Sequence, residues 1–254
     1  MVPWIVLFVG LSLVGCRTSH SGAGLKDDAG APVAIDTAEV VALTSAYPRT
    51  TSAKGKPADI INLVIIGSQP ELEAAFAAAG WSIADPLNEK TAARLAADTV
   101  VDRSYPKAPV STQKLFDRAQ DVAVEQQVNH SPKRRHHSRF WLAPTGTADG
   151  RHIWLGGAVF DTGIAFSKVG GPHFTHMVDP NIDKERDFTA DALKSAGQVQ
   201  ASTTLPGFGP DDTLVNGDGN PMTTEGDLLV VVLQANPGVV QTDNSSGTTG
   251  YDAE

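Results

Sequence analysis

The amino-acid sequence predicts a single α+β domain in which a mainly antiparallel sheet is packed by about three helices. The first observation is that β-branched or alternating apolar runs, which are typical of strands, recur along much of the chain. The second is that three other segments carry helix-capping residues or apolar residues at helical spacing. Glycine and proline are raised, at 24 and 16 residues, which indicates linkers or many turns.

The predicted domain begins with one buried strand and two helices. The β-branched apolar run 60–67 ends in glycine, which is typical of a buried strand. Ser68 can cap the first helix, and Gly80 closes it. Asn88 caps a second helix over 88–101.

The rest of the domain is predicted as strands around a third helix. The predicted strands lie, in order, at 121–128, 138–143, 152–160, 164–169, 173–179, 198–205 and 227–233. Asp161-Thr162-Gly163 and Asn216-Gly217 are predicted hairpin turns. Asp179 precedes Pro180 and is the expected N-cap of the third helix, which Gly197 ends.

The first 16 residues predict a lipoprotein signal peptide. Residues 2–15 are uncharged and apolar, too short to span a bilayer but suited to the apolar region of a signal peptide. Leu13-Val14-Gly15-Cys16 resembles a bacterial lipobox, so we expect acyl chains on Cys16 to anchor the protein to a membrane. No basic residue precedes the run, and an uncleaved apolar anchor is the alternative. Arg17 is not the aspartate of inner-membrane retention, which favours the periplasmic face of the outer membrane in a Gram-negative cell.

Composition divides the remaining chain into three parts. Residues 17–56 are rich in small and polar residues and predict a flexible linker, with a short ordered piece over 37–43. Residues 57–234 form the predicted domain. Residues 235–254 are polar and predict a disordered tail.

Charge and motifs exclude several classes of protein. A net charge of -9 argues against general nucleic-acid binding, and the single cysteine excludes an intramolecular disulfide. The sequence has no nucleophile elbow, phosphate-binding glycine loop, dinucleotide fingerprint or catalytic cysteine, so no cofactor or reaction is assigned. Residues 216–227 have a calcium-loop-like spacing, but Pro221 stands where glycine is needed, so a hairpin turn is favoured.

The candidate site is the basic stretch 131–141, SPKRRHHSRFW. On a strand, alternation places His137, Arg139 and Trp141 on one face, and we expect Phe140 to face the core, leaving the first three accessible. Histidine beside arginine can bind a carboxylate or phosphate. The alternative is that Arg139 pairs with a neighbouring strand and His137 is half-buried. The residues from Lys133 to Arg135 are expected in a solvated loop.

Further candidates follow the basic stretch. His173 and His176 are three residues apart and would lie on opposite strand faces, so no metal pair is assigned. Asp183, Arg186 and Asp187 share a helix face and could simply pair with each other. A cluster of His137, His176 and Asp183 requires convergence that the sequence alone does not establish. Arg103, at a helix end, is structural or joins the Arg139 region.

Taken together, these segments resemble the LssY C-terminal domain family. The resemblance covers residues 57–233, in the family's order, and is carried by the segments PADIINLVIIGSQPELEAAFAAAGWSIADP, VVDRSYPKAPVS, SPKRRHHSRFW, WLGGAVFDTGIAFS, THMVDPNIDKERDF and NGDG. It implies a bacterial envelope domain, often found behind membrane segments and in lipid phosphatases, with no established activity or catalytic residues. The chain departs from the family pattern at Gln113-Lys114, where an apolar strand is expected, and at Asn129-His130, where Gly-Asn is expected.

Two functions are therefore predicted. The first is a non-catalytic, membrane-anchored envelope module that binds an anionic ligand or an envelope protein through the face of His137 and Arg139. The second is a hydrolase of phosphoesters or related envelope substrates, with metal assistance as one option, which requires His137, His176 and Asp183 to converge in one pocket.

Overall fold

The computed structural model describes residues 25–26, 32–33, 35, 37–147, 150–167, 173–208, 214–216 and 219–235. Four helices lie in this part of the chain: α1 Thr37–Ala46, α2 Gln69–Ala78, α3 Glu89–Val100 and α4 Ile182–Ser195. The strands of its first half are β1 Leu25–Lys26, β2 Pro32–Val33, β3 Arg49–Ser52, β4 Pro57–Ile60, β5 Leu63–Ile66, β6 Ser82–Ile83, β7 Gln113–Leu115, β8 Arg118–Ala119 and β9 Val122–Val128. The later strands are β10 Ser131–Gly146, β11 His152–Ser167, β12 His173–Val178, β13 Val199–Leu205, β14 Leu214–Val215, β15 Pro221–Met222 and β16 Leu228–Leu233. The predicted α+β class is confirmed.

An eight-stranded sheet organises the domain. Its order is β13-β16-β5-β11-β10-β9-β6, and β12 also pairs with β11. All neighbours are antiparallel except β16 and β5, which run parallel. A smaller antiparallel sheet, in the order β4-β3-β7-β8, contributes Leu115 to the core on one face of the large sheet.

Strand alternation gives the large sheet two buried faces. Phe140 and Trp154 lie in a core cluster with Phe76 of α2 and Leu193 of α4. The neighbouring Trp141 belongs to a second cluster that includes residues of α1 and β7. Because successive side chains of a strand point to opposite faces, helices α2 and α4 cover one face, while α1 and the small sheet cover the other.

The predicted helix starts and stops are largely confirmed. Ser68 and Glu71 form a reciprocal capping box at the start of α2, and Asn88 caps α3. Gly80 and Gly197 have φ of 81° and 69°, the left-handed conformation that suits glycine after a helix. Asp179 is not the N-cap of α4: the cap is Asn181, and Asp179 instead accepts a hydrogen bond from the Asn181 amide.

The structure differs from three predictions about chain organisation. The ordered piece expected over 37–43 within the linker 17–56 is longer, since α1 continues to Ala46 and β3 pairs with β4. The predicted turn at Asp161-Thr162-Gly163 lies inside the long strand β11, which replaces two shorter predicted strands. The run 60–67 is divided, because β4 ends at Ile60 and β5 begins at Leu63.

Several predictions concern parts of the chain wholly or partly outside the described residues. They are the signal peptide 1–16 with Cys16, most of the linker before Thr37, the tail beyond residue 235, and the turn at Asn216-Gly217, of which Gly217 lies outside. In the described residues, no helix combines the length and the apolar character needed to cross a bilayer.

Candidate functional site

A cavity of about 930 Å³ lies over the second face of the large sheet. Residues of β10, β11 and β12 form its floor, α3 forms one wall, and the turn after β3 lies at another side. The size lies in the range of cavities that hold small-molecule ligands.

Strand β10 supplies three polar side chains to this floor. Arg135, His137 and Arg139 alternate along the strand, line the cavity and are each 3% exposed. The shared face of His137 and Arg139 was predicted, but the face is buried rather than accessible. Arg135 was expected in a solvated loop, whereas β10 already begins at Ser131, so this residue belongs to the sheet.

Asp161 is the centre of the polar cluster. Its Oδ2 accepts a hydrogen bond from Arg135 Nε at 2.9 Å, and its Oδ1 lies 3.1 Å from His137 Nε2. His176 Nδ1 lies 4.0 Å from Asp161 Oδ2. Arg135 and Asp161 are directly paired across β10 and β11, while His176 comes from β12, so three adjacent strands build the cluster.

Burial and charge determine the protonation of this cluster. Burial lowers the pKa of His137 and of His176, and the attraction of Asp161 only partly opposes it. Burial alone would raise the pKa of Asp161, but His137, His176 and Arg135 around it hold that pKa well below its usual range. At neutral pH the arrangement is therefore a carboxylate that accepts a hydrogen bond from the Nε2–H of a neutral His137. In that tautomer His137 Nδ1 is a proton acceptor, and it is buried with no hydrogen-bond partner among the described residues.

A second ion pair holds Arg139. Its Nη1 donates to Asp59 Oδ2 at 2.7 Å, and its Nε and Nη2 donate to the carbonyl and hydroxyl oxygens of Ser111. Gln113 Nε2 donates to the same Asp59 oxygen at 2.8 Å. The polar Gln113, which departs from the expected apolar strand, thus satisfies a buried carboxylate from strand β7.

Glu125 of β9 lies beside the floor, opposite His137 of β10, and is fully buried. Its Oε1 accepts a hydrogen bond from the Ala108 amide, and its Oε2 is 3.9 Å from Arg135 Nη1. Burial raises the pKa of Glu125 to about 7, against the opposing effect of Arg135. This side chain therefore changes charge near neutral pH.

The lining of the cavity is cationic. Among the described residues that line it, the cations are Lys54, Lys56, Lys133, Arg135 and Arg139, and the carboxylates are Asp59 and Asp161. Five cations face two carboxylates in a protein of net charge -9, so positive charge is concentrated at this cavity.

The α3 wall is apolar. Ala92, Leu95, Ala96 and Val100 all line the cavity, and Leu87, just before the helix, lies beside them. The cavity therefore combines a charged floor with an aliphatic wall.

The structure brings together some of the predicted site residues and separates others. His137, Arg139 and His176 line the cavity. Trp141 is fully buried in the second core cluster, and its Nε1 donates to the Arg118 carbonyl at 3.3 Å. Arg103 pairs with Asp98 at the end of α3 and remains largely exposed.

Asp183 lies away from the cavity lining. It accepts hydrogen bonds from Arg186, from the Thr224 hydroxyl and from the Glu225 amide, so it fixes the start of α4. Arg186 also donates to Asp187, which is the mutual pairing that the helix-face spacing allows. The three-residue convergence required for the predicted hydrolase is therefore found for His137 and His176, but not for Asp183.

Four important residues were not predicted: Asp59, Glu125, Arg135 and Asp161. Glu125 stands at a position that alternates with Val122 and Val124, where a solvent-exposed charge is expected, so no local pattern predicted its burial. Asp161 was missed because the sequence Asp-Thr-Gly predicted a hairpin turn, so the residue was not expected in the sheet. Within the described residues, no group of three or more histidine, cysteine, aspartate or glutamate side chains is arranged to hold a metal ion.

The fold and site define a cavity-bearing α+β domain with buried Arg-Asp and His-Asp pairs. The sequence model described as LssY C-terminus matches residues 41–228, and the chain belongs to this family. Neither a curated protein nor a solved structure matches the chain.

Proposed function

We propose that the domain is a binding module for an anionic ligand that enters the cavity of α3 and β10. The observation that carries the proposal is the excess of cations over carboxylates in the lining. A low-dielectric cavity with an excess of charge of one sign raises the local concentration of the opposite ion. Lys56 and Lys133 supply this charge at the surface, although Lys133 Nζ also lies 3.7 Å from the exposed Asp102 carboxylate. The buried arginines are held by Asp59 and Asp161.

Calorimetric titration of the full-length chain with inorganic phosphate tests this proposal. At low ionic strength we expect saturable binding that weakens with added salt. Lys133→Gln should weaken it several-fold, whereas Lys184→Gln, on the exposed side of α4, is the matched control. Equal affinity in both variants, or no binding of phosphate, would contradict the proposal.

Arg139 is unsuitable for this test. It is buried against Asp59 at 2.7 Å, so its removal leaves a buried carboxylate without its cation and destabilises the fold. His137→Gln is the better floor variant, because a glutamine amide can still donate to Asp161. We expect it to alter phosphate affinity without unfolding the domain.

The first 16 residues of the sequence support a location for the domain in the cell. We propose that the domain is held at the bacterial envelope by acyl chains on Cys16, which the lipobox-like Leu13-Val14-Gly15-Cys16 supports. Labelling of cells with an alkyne fatty acid should tag the wild-type chain and not Cys16→Ser. Equal labelling of both chains, or of neither, would contradict the anchor.

A second function is favoured by the His137–Asp161 pair. A neutral histidine, oriented by a carboxylate and with an unpartnered nitrogen, has the arrangement of a general base. In a phosphoester hydrolase, Nδ1 would take a proton from water as the water oxygen attacks phosphorus. The phosphorus–oxygen bond to the alcohol breaks, and the departing oxygen takes a proton from solvent.

Hydrolysis of p-nitrophenyl phosphate and bis(p-nitrophenyl) phosphate tests this second function. If His137 is the base, His137→Gln should reduce turnover about 100-fold or more. Phosphate binding without turnover in the wild-type chain would leave only the binding function.

A further inference from the structure

The apolar side of α3 is not used to build the domain core. Of its twelve residues, the single buried one is Asp98. Leu95 is half-buried, and Ala92 and Ala96 are exposed, although all three line the cavity. An amphipathic helix normally places its apolar stripe against the core, so this stripe faces a space that a ligand can fill.

Polar contacts hold α3 in place instead. Asp98 pairs with Arg94 within the helix and with Arg103 just beyond it, which stabilises the helix end. The Arg94 guanidinium lies 3.7 Å from the ring centre of the buried Tyr105 and so joins the helix to the segment that follows it. Just beyond the helix, Asp102 accepts a hydrogen bond from Ser131 at the start of β10. The helix therefore stays over the floor without burying its own aliphatic side chains.

Aliphatic side chains continue to the mouth of the cavity. Val100 is 82% exposed and Leu87 is 45% exposed, and both line the cavity. Ile164 and Val178 contribute apolar surface from the strands. Large apolar side chains around an opening that leads to buried charges are typical of a binding site.

We propose that the ligand of this cavity is an amphipathic anion, with its acidic head group at the cations of the floor and a hydrocarbon chain along α3. The inference rests on the proposed anion binding and specifies its ligand class. Charge complementarity places the head group, since the cations lie at the floor and the turn after β3. A small hydrophilic anion would leave the aliphatic wall in contact with water, whereas a chain removes it from water.

Calorimetry with ethyl phosphate and octyl phosphate tests the inference on the full-length Cys16→Ser chain, which cannot be acylated there. Octyl phosphate, kept below its aggregation concentration, should bind about 60-fold more tightly, as expected for three buried methylenes at ~0.8 kcal/mol each. Leu95→Gln should reduce this ratio of the two affinities several-fold, because it replaces an aliphatic side chain that lines the cavity.

Two neighbouring valines provide a matched control. Val100 lines the cavity and Val101 does not, and both are strongly exposed. Val100→Gln should weaken octyl phosphate binding several-fold, and Val101→Gln should not. Equal effects of these two variants would overturn the inference.

The remaining outcomes separate the inference from the function on which it rests. Equal affinity for the two phosphates would overturn the proposed recognition of a hydrocarbon chain but not anion binding. Binding of neither phosphate would overturn the inference and the anion-binding function together. A photo-crosslinker at Ala92 tests whether the chain's own apolar segment, residues 2–15, occupies the cavity. A crosslink to this segment, together with no binding of octyl phosphate, would overturn the inference.

Discussion

His137 Nε2 lies 3.1 Å from Asp161 Oδ1 across strands β10 and β11, and both side chains are at most 3% exposed. The same carboxylate accepts a hydrogen bond from Arg135 Nε at 2.9 Å. One buried charge thus fixes the histidine tautomer and compensates the guanidinium.

Asp161→Asn should destabilise the domain strongly. The substitution leaves the buried Arg135 guanidinium without its nearest carboxylate, and breaking such a pair costs about 3–5 kcal/mol. Urea denaturation at pH 7 measures the change. Asp187→Asn removes the exposed partner of Arg186 and should cost at most about 1 kcal/mol, so similar losses in the two variants would refute the role of Asp161.

The Arg139–Asp59 pair should show strong coupling in a double-mutant cycle. Arg139→Met and Asp59→Leu each leave one buried charge unpaired, whereas the double variant leaves neither. We expect the double variant to be more stable than the sum of the single losses predicts, by about 2 kcal/mol. Additive losses would show that the two charges do not depend on each other.

Glu125→Gln should change the pH dependence of stability. Burial raises the pKa of Glu125 from 4.5 to about 7, so the folded state binds its proton more tightly than the unfolded chain does. The stability that this tighter proton binding contributes is fully present below pH 4.5 and is lost as pH rises to about 7. The glutamine variant keeps an acceptor for the Ala108 amide and carries no charge. Its free energy of unfolding relative to wild type should therefore increase by about 1–3 kcal/mol as pH rises from 4.5 to about 7. Glu225→Gln, at an exposed position, controls for the loss of one carboxylate.

His130→Gly should stabilise the β9–β10 hairpin. Asn129 and His130 form its two-residue turn with φ of 54° and 59°, and the second position of such a turn favours glycine. The gain should be about 1 kcal/mol, seen as a higher melting temperature. His152→Gly, in strand β11, should instead lower it, and the same sign in both variants would contradict the turn argument.

Local chemistry explains which parts of the fold the sequence could predict. Ser68 with Glu71, Asn88, Gly80 and Gly197 mark helix ends through contacts within a few residues, and these predictions agree with the structure. The predictions fail where contacts between segments that are far apart in sequence determine the local structure. Asp161-Thr162-Gly163 has a turn composition, but pairing with β10 and β12 keeps it inside a strand.

The sequence by itself determined the α+β class, the family, and the shared face of His137 and Arg139, because strand alternation follows from local backbone geometry. Only the tertiary structure decided that Asp161 and Asp59 neutralise Arg135 and Arg139, that His176 joins this group, and that Asp183 does not. These contacts join residues far apart in sequence. Their geometry depends on strand register and on which elements cover each sheet face, and neither is encoded in a local pattern.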